Sequence, residues 1–181
     1  KISKLRSHGI TKDRECFIDE KGPPWSYEQQ LLGYNYRMSE LHAALGISQL
    51  KRYKNFILKR NLLYKEYLRI TENSIFSMLK IPPSSESSIH LGIIRIDDIS
   101  KEEHIKLFNL MRKDNIGVQV HYIPVHLQPY YKNLGFKKKD FPVAEKHAES
   151  SLTLPLYPSL DISIINTVID RLEYHLYNIK K

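Results

Sequence analysis

The sequence holds a single cysteine, Cys16, among 181 residues. One thiol excludes an internal disulfide framework and a zinc site built from cysteines, and it fits a reducing, cytoplasmic setting. No run approaches the roughly 18 apolar residues that a membrane-spanning helix needs, so no membrane partner is predicted. The basic opening, Lys1 to Arg6, leads into Ser7-His8-Gly9 without an apolar stretch, so we expect no secretory signal within the chain as given.

The most specific catalytic signatures are also missing. There is no glycine-rich phosphate loop, no dinucleotide-binding fingerprint, no kinase signature and no nucleophile elbow. The histidines have no third metal-binding residue near them at the spacing of a metal site, so no bound metal is predicted. These absences exclude several enzyme classes that a sequence alone can identify.

Acidic residues are fewer than basic ones, 20 against 28, which gives a net charge of +8. A basic chain suits nucleic acid, an anionic membrane surface or a phosphorylated substrate. The lysines are scattered, and the one dense run, Lys137–Lys139, lies beside Gly135 and Asp140, as is typical of a solvated loop. Nucleic-acid binding therefore stays an electrostatic alternative, and we predict no nucleic-acid partner.

The first third of the chain predicts a loop followed by a long helix. The stretch 11–33 is rich in charge, glycine and proline and is predicted to be a long surface loop. Trp25 and Tyr27 in it are interpreted either as anchors against a partner or, by default, as a small cluster of their own. Lys1 to Arg6 resembles the end of a helix that His8-Gly9 stops. Ser39 is expected to cap a helix that reaches about residue 70, either as one helix or as two joined near residues 53–55.

The rest of the chain predicts a small α/β domain with a few-stranded sheet. Strands are expected at 90–97, 118–122 and 152–156, where Pro155 favours an edge position. Ser100 and Glu103 have the spacing of a capping box, and Asp161 is expected to cap a last helix. Its apolar stripe contains five residues: Ile165, Val168, Ile169, Leu172 and Leu176. The predicted regions are 1–38, a long linking helix at 39–72, and a domain at 73–181.

Polar and aromatic residues crowd just before the helix that Ser39 opens. Asn35 can donate two hydrogen bonds, Arg37 can form a bidentate pair with phosphate or carboxylate, and Tyr36 lies between them. A helix N-terminus beside such donors is a ready anion site. The structural alternative is that Asn35 shapes a turn and Arg37 pairs with a neighbouring acid, and composition alone favours that alternative.

A second polar segment, 121–131, follows the predicted strand at 118–122. It contains two histidines, three tyrosines and Gln128, while Pro124 and Pro129 keep the chain extended. Histidine supplies the one side chain here that titrates near neutral pH. Two interpretations stay open, a polar ligand-binding loop and a loop with partly buried aromatic rings.

Together these stretches resemble the sugar nucleotide aminotransferases of the DegT/DnrJ/StrS family. The similarity lies in Arg-Ser-His-Gly-Ile at 6–10, in the stretch 32–50, in 118–131 and in Leu-Thr-Leu-Pro-Leu at 152–156, in that order. The form His-Tyr-x-Pro-x-His-x-Gln is most like the branch that aminates a UDP-linked 4-keto-6-deoxy amino sugar on the way to pseudaminic acid. The resemblance covers essentially the whole chain.

The resemblance implies a pyridoxal 5'-phosphate enzyme of the aspartate aminotransferase fold, fold type I. It also implies glutamate as amino donor, a UDP-sugar as acceptor, and a homodimer whose active sites are each built from both subunits. By the same resemblance, Asn35 matches the residue that reaches the cofactor phosphate of the neighbouring subunit, and Tyr36 and Arg37 match substrate-binding positions beside it. Three further positions match those near the nucleotide sugar: His121, Tyr122 and His126.

The sequence departs from the family in one important respect. The family's catalytic lysine lies in a Ser-Phe-His-x-x-Lys type motif followed by Gly-Glu-Gly-Gly, and no such motif occurs here. We therefore expect this chain to correspond to the C-terminal half of such an enzyme, to contain no catalytic residue and to be inactive alone. The alternative is a non-catalytic interaction module from a split or decayed reading frame. A smaller departure is Gly92, where family strands often carry an aromatic residue.

Overall fold

The computed structural model describes residues 1–19 and 22–181, so residues 20 and 21 of the predicted surface loop lie outside the described residues. The chain divides into two compact units, Lys1–Lys51 and Arg52–Lys181. The division falls within the helix α2 (Glu40–Ile70). Each unit is described separately below. In the described part of the chain, no helix combines the length and the apolar character that crossing a membrane requires.

The first unit begins with a short helix and a small antiparallel pair of strands. Helix α1 (Ile2–Arg6) ends where His8 and Gly9 both take positive φ angles, 61° and 74°, as the sequence predicted. Strand β1 (Ile10–Thr11) then pairs with β2 (Glu28–Gln29). The prediction of a loop over the whole of 11–33 is therefore wrong at Thr11 and at Glu28–Gln29, because the backbone groups of these residues pair across the two strands.

Between these strands the first unit has a single turn of 3-10 helix, Arg14–Cys16. Trp25 is 81% exposed and Tyr27 is also exposed, so the prediction that they pack in a cluster of their own is wrong. Most of the large apolar side chains of this unit, among them Leu32, Tyr36 and Leu41, lie at the surface.

Helix α2 is one continuous helix of 31 residues, so the alternative of two helices joined near residues 53–55 is wrong. The Oγ of Ser39 accepts from the backbone N–H of His42 at 3.4 Å, as expected of a residue that caps the helix. Near its C-terminal end the helix buries Leu63, Tyr64 and Tyr67. The hydroxyl of Tyr67 donates to the carbonyl of Pro155 at 3.0 Å, which joins this end of α2 to the sheet of the second unit.

The sheet of the second unit has three antiparallel strands in the order β3-β4-β5. They are β3 (Phe76–Met78), β4 (Gly92–Ile96) and β5 (Ser151–Leu154). The strands expected at 90–97 and 152–156 are confirmed, with β5 at an edge. A strand at 118–122 is wrong, because this segment forms only one isolated bridge, between Gln119 and Thr153. In the antiparallel register of this bridge Pro155 lies opposite Gly117, and it lacks the N–H group that a longer ladder on that side requires.

Two helices pack against each other over this sheet, α3 (Lys101–Lys113) and α6 (Ser163–Lys180). The capping box of α3 is confirmed: the Oγ of Ser100 accepts from the N–H of Glu103 at 3.2 Å, and a carboxylate oxygen of Glu103 accepts from the N–H of Ser100 at 2.7 Å. The predicted stripe of α6 is entirely buried. The second unit therefore has the predicted α/β character with a few-stranded sheet.

Two short α-helices, α4 (Pro129–Asn133) and α5 (Pro142–Ser150), and a single turn of 3-10 helix, Val125–Leu127, complete the second unit. Helix α5 runs directly into β5, since Ser150 ends the helix and Ser151 begins the strand. Ser151 is fully buried, so the end of α5 is tied to the hydrophobic core through the strand.

Candidate functional site

The first candidate segment, residues 34–37, lies in the first unit and is held by its backbone. The N–H of Tyr34 donates to the carbonyl of Leu5 at 2.7 Å, and the N–H of Tyr36 donates to the carbonyl of Arg6 at 2.9 Å. Between them, Asn35 forms an isolated antiparallel bridge with Ser7. The main chain of this segment therefore has a defined course along the end of α1.

Two glycines allow the segment 34–37 to lie close to the end of α1. Gly9 has a positive φ angle, and a Cβ there would collide with the carbonyl of Leu31. A Cβ at Gly33 would likewise collide with the backbone of His8 and Gly9. The glycines in Ser-His-Gly and Leu-Leu-Gly-Tyr thus allow the two stretches to lie side by side, which places residue 35 opposite residue 7.

The side chains of this segment are exposed although its backbone is hydrogen-bonded. The rings of Tyr34 and Tyr36 stack with centroids 4.8 Å apart, and Tyr36 is 72% exposed. Because side chains alternate along extended backbone, Asn35 lies on the other side of the chain from this stack. Asn35 and Arg37 are both exposed, and no ion pair of Arg37 is found among residues 1–19 and 22–181. Within those residues, the alternative in which Arg37 pairs with a neighbouring acid does not occur.

Asn35 and Arg37 are two residues apart on extended backbone and therefore lie on the same side of the chain. The amide and the guanidinium are hydrogen-bond donors and the guanidinium carries a positive charge, so this pair fits a phosphate ester better than it fits a metal ion. The described residues contain no group of three or more His, Cys, Asp or Glu side chains that could hold a metal ion.

The second candidate segment lies in the second unit and is joined to strand β5. Gln119 and Thr153 exchange backbone hydrogen bonds of 2.7 and 3.2 Å. Two residues further on, the Nδ1 of His121 lies 2.8 Å from the Oγ of Thr153. The ring of Tyr122 meets the ring of His121 edge-on at 4.4 Å, and Tyr122 is 69% exposed.

A cavity of about 480 Å³ opens beside these side chains, wholly within the second unit. Its walls are mostly apolar, and a few polar groups face it, which is the usual character of a small-molecule site. His104 at the back of the cavity is buried, and burial lowers its pKa, so the ring is neutral at pH 7 and its Nε2–H donates to the carbonyl of Ser151 at 2.9 Å. The polar lining residues are His104, Gln119, His121, Tyr122 and Gln128.

His126 has a different environment from His121 and Tyr122. It is 7% exposed, and its Nε2 lies 2.9 Å from a carboxylate oxygen of Glu145, which is itself 6% exposed. The same oxygen accepts the backbone N–H of Lys139 at 2.7 Å. The hydrogen bond from His126 is the main cause that lowers the pKa of Glu145, so the carboxylate is ionised at neutral pH and Nε2 carries the proton.

Two residues of this site were not predicted from the sequence, Thr153 and Glu145. Thr153 lies within a short apolar strand, and Glu145 looks like an ordinary acid in the first turn of a helix. Neither carries a local signal, because each meets its histidine only through contacts between segments far apart in the chain. The roles predicted for Asn35, Tyr36 and Arg37, and for the two histidines and Tyr122, stay predictions.

A family model described as the DegT/DnrJ/EryC1/StrS aminotransferase family matches residues 1–173, and the chain belongs to this family. Two curated relatives illustrate its range. The spore coat polysaccharide biosynthesis protein SpsC of Bacillus subtilis is 33% identical over 177 residues, which are 94% of this chain and 44% of SpsC. A UDP-4-amino-4,6-dideoxy-N-acetyl-beta-L-altrosamine transaminase of Campylobacter jejuni is 34% identical over 182 residues, 100% of this chain and 46% of that protein. The chain thus spans about half the length of these relatives.

Solved structures agree with this assignment. The protein Spr1654 of Streptococcus pneumoniae, described as a sugar aminotransferase, matches in its PMP-form with a TM-score of 0.83 and 29% identity, over 98% of this chain and 44% of that one. Its PLP-form matches with a TM-score of 0.82 and 28% identity, over 98% and 43%. The predicted fold class, part of a PLP-dependent aminotransferase, is confirmed, and pyridoxal phosphate is the cofactor of the family.

Proposed function

We propose that this chain forms part of an aminotransferase that uses pyridoxal phosphate to move an amino group from glutamate to a nucleotide-linked 4-keto-6-deoxy sugar. The observation that supports this most strongly is the family match over residues 1–173, because it includes both candidate segments. The active protein is proposed to be a homodimer that contains, besides this chain's residues, the catalytic lysine that the sequence does not provide. The isolated chain is therefore expected to be inactive.

Asn35 and Arg37 are proposed to bind phosphate groups. When bound, pyridoxal phosphate supplies the electron sink and the carrier for the amino group. The contribution of this chain is to hold its phosphate: the exposed amide of Asn35 donates to a phosphate oxygen across the subunit interface. Arg37 and Tyr36, next to it, bind substrate, and a guanidinium suits the diphosphate of a nucleotide sugar.

His121 and Tyr122 are proposed to contact the nucleotide sugar, and the cavity beside them is proposed to accept part of it. The Nδ1 of His121 is engaged by Thr153, which fixes the ring and leaves Nε2 on the other side for a ligand. The hydroxyl of Tyr122 is a second donor and acceptor at an exposed position. The net charge of +8 favours the approach of a substrate with two phosphates.

The acceptor is proposed to be a UDP-linked 4-keto-6-deoxy amino sugar of the kind used on the way to pseudaminic acid. Support comes from the His-Tyr-x-Pro-x-His-x-Gln form of residues 121–128 and from the 34% identity to the Campylobacter jejuni transaminase. The similar identity to SpsC supports a role in polysaccharide synthesis more broadly.

The test is an amino-transfer assay with the full-length protein that contains this chain. Protein loaded with pyridoxal phosphate is given glutamate and either a UDP-linked or a TDP-linked 4-keto-6-deoxy sugar, and 2-oxoglutarate and amino sugar are measured by mass spectrometry. We expect turnover with the UDP-linked sugar and none with the isolated chain. Equal turnover with the TDP-linked sugar would contradict the proposed nucleotide, and no turnover with either sugar would contradict the proposed reaction.

A further inference from the structure

His126, which the family resemblance matches to a position near the nucleotide sugar, is buried with its Nε2 on Glu145, so the contacts proposed above do not yet use this pair. We propose that Glu145 is a positioning residue: through His126 it holds the loop 121–126 in the conformation in which His121 and Tyr122 meet the nucleotide sugar. This inference rests on the proposed function, which supplies the nucleotide sugar as the substrate. Glu145 itself is not proposed to touch the substrate.

The loop is attached at both ends. At its start, the ring of His121 lies 2.8 Å from the Oγ of Thr153, next to the backbone bridge of Gln119 with the same residue. At its end, the ring of His126 lies 2.9 Å from Glu145 and packs against the ring of Phe141 with centroids 4.9 Å apart. Between the two attachments, Tyr122, Ile123 and Val125 are exposed.

Both attachments lie on one continuous piece of structure. Glu145 is on α5 (Pro142–Ser150), and Thr153 is on β5 (Ser151–Leu154), which follows without an intervening loop. Strand β5 is fully buried and paired with β4, so the two attachment points are fixed relative to each other by the core. Four residues between two fixed points have few conformations available, which lowers the entropy lost when a ligand binds them.

The carboxylate of Glu145 also holds its own position firmly. One of its oxygens accepts from His126 and from the backbone N–H of Lys139, so it joins the 121–126 loop to the segment before α5. Removal of the carboxylate leaves a buried imidazole N–H and a backbone N–H without their acceptor, and both then favour conformations in which water reaches them. We therefore expect the end of the loop to move while the sheet and α6 stay in place.

The kinetic test compares Glu145→Ala and Glu145→Gln with a matched variant, Glu149→Ala. Glu149 lies on the same helix, is exposed, and pairs only with Lys138, at 3.5 Å, among the described residues. In the full-length enzyme, we expect Glu145→Ala to raise the KM for the nucleotide sugar by about ten- to a hundred-fold, since a displacement of about 1 Å has effects of that size. The half-reaction with glutamate should stay within about two-fold of the wild type, because the 121–126 loop is proposed to contact only the sugar nucleotide.

Glu145→Gln keeps an oxygen acceptor of the same shape and should recover a large part of the affinity, while Glu149→Ala should resemble the wild type. Equal losses in both half-reactions, or an unchanged KM for the sugar, would overturn the proposal. Circular dichroism identifies a variant that does not fold. If Glu145→Ala does not fold, Glu145→Gln decides, because it is expected to recover only part of the affinity: a KM for the sugar nucleotide above that of Glu149→Ala supports the proposal, and an equal KM overturns it.

A second measurement separates this inference from the proposed function. Ring-nitrogen NMR of the histidines and the ring signals of Tyr122 report the loop directly, with no substrate present. We expect Glu145→Ala to shift the signals of His121 and Tyr122, whereas Glu149→Ala leaves them unchanged. Unchanged His121 and Tyr122 signals would overturn the positioning role even in an active enzyme. Shifted signals in an enzyme that aminates no sugar nucleotide would instead refute the proposed function alone.

Discussion

Replacement of Asn35 by alanine should weaken cofactor retention far more than it affects the fold. The side chain is exposed, and the position of the backbone is held by the bridge to Ser7 and by the hydrogen bonds of Tyr34 and Tyr36. Removal of an exposed amide opens no cavity and leaves those bonds in place. The cost in free energy of unfolding should therefore stay within about 0.5 kcal/mol, as for other surface substitutions.

The loss of affinity follows from the one contact proposed for this side chain. A hydrogen bond to a charged group contributes roughly 1.5–3 kcal/mol. That free energy corresponds to about one to two decades in the dissociation constant of pyridoxal phosphate. Asn109→Ala, at another exposed asparagine on α3, is the matched control and should leave cofactor affinity unchanged.

Mixed dimers test whether Asn35 acts across the subunit interface. One subunit of the full-length protein carries Asn35→Ala, and its partner carries an inactivated catalytic lysine. If Asn35 serves the neighbouring active site, both defects fall in one site of the mixed dimer, and the other site is intact. At limiting cofactor, such a dimer should recover about half of the wild-type activity, since a two-fold symmetric dimer has two equivalent sites.

If Asn35 serves the active site of its own subunit, every site in the mixed dimer carries one defect and no activity returns. Absence of recovery, with the mixed dimers confirmed by mass, would refute the assignment across the interface. Unchanged cofactor affinity in the Asn35→Ala homodimer would refute the phosphate contact itself.

Four further outcomes are expected. Leu172→Ala, at a fully buried position of α6, should lower the free energy of unfolding by about 2–5 kcal/mol in urea denaturation, in contrast to an exposed leucine of the same chain. The hydrogen bonds with Ser100 lower the pKa of Glu103 in the folded protein. The ionised carboxylate of Glu103 therefore stabilises the fold above the ordinary carboxyl pKa, and this stabilisation is lost as the pH falls through the lowered pKa of the folded state. In acid, the free energies of unfolding of the wild type and of Glu103→Gln should therefore converge. The hydrogen bond to Asp13 raises the pKa of the Cys16 thiol, so Asp13→Asn should speed its alkylation near pH 8, and an unchanged rate would contradict that cause. The exposed apolar side chains of the first unit should make the isolated chain self-associate, and a monomer at all concentrations in sedimentation would contradict this.

Helices that carry their own local signals were predicted well. The capping box of Ser100 and Glu103 and the apolar stripe of α6 depend on residues within one or two turns of each other, so the sequence displays them directly. The buried face of α2 was harder to predict. Leu63, Tyr64 and Tyr67 are buried whereas Leu58 and Leu62 are exposed, because the helix packs on the sheet only near its C-terminal end.

Contacts between distant segments account for what could not be predicted. Strand β3 (Phe76–Met78) has only three residues and exists because β4 offers it a partner. Segment 118–122 alternates like a strand, yet it finds one bridging residue beside Thr153 and then departs. Glu145 became a candidate only when the fold placed it against a histidine 19 residues away in sequence.

The attachment of the 121–126 loop at its two ends has a consequence for the substitutions that this chain tolerates. Residues 122, 123 and 125 are exposed and add nothing to the hydrophobic core, so their replacement costs little stability. The two attachment points, Glu145 and Thr153, belong to the continuous segment α5–β5, which the core holds in place. The backbone of the loop would therefore keep its position when the side chains between these points are replaced. Under the contact proposed for this loop, substitution at these three surface positions would change acceptor preference while the free energy of folding stays nearly constant.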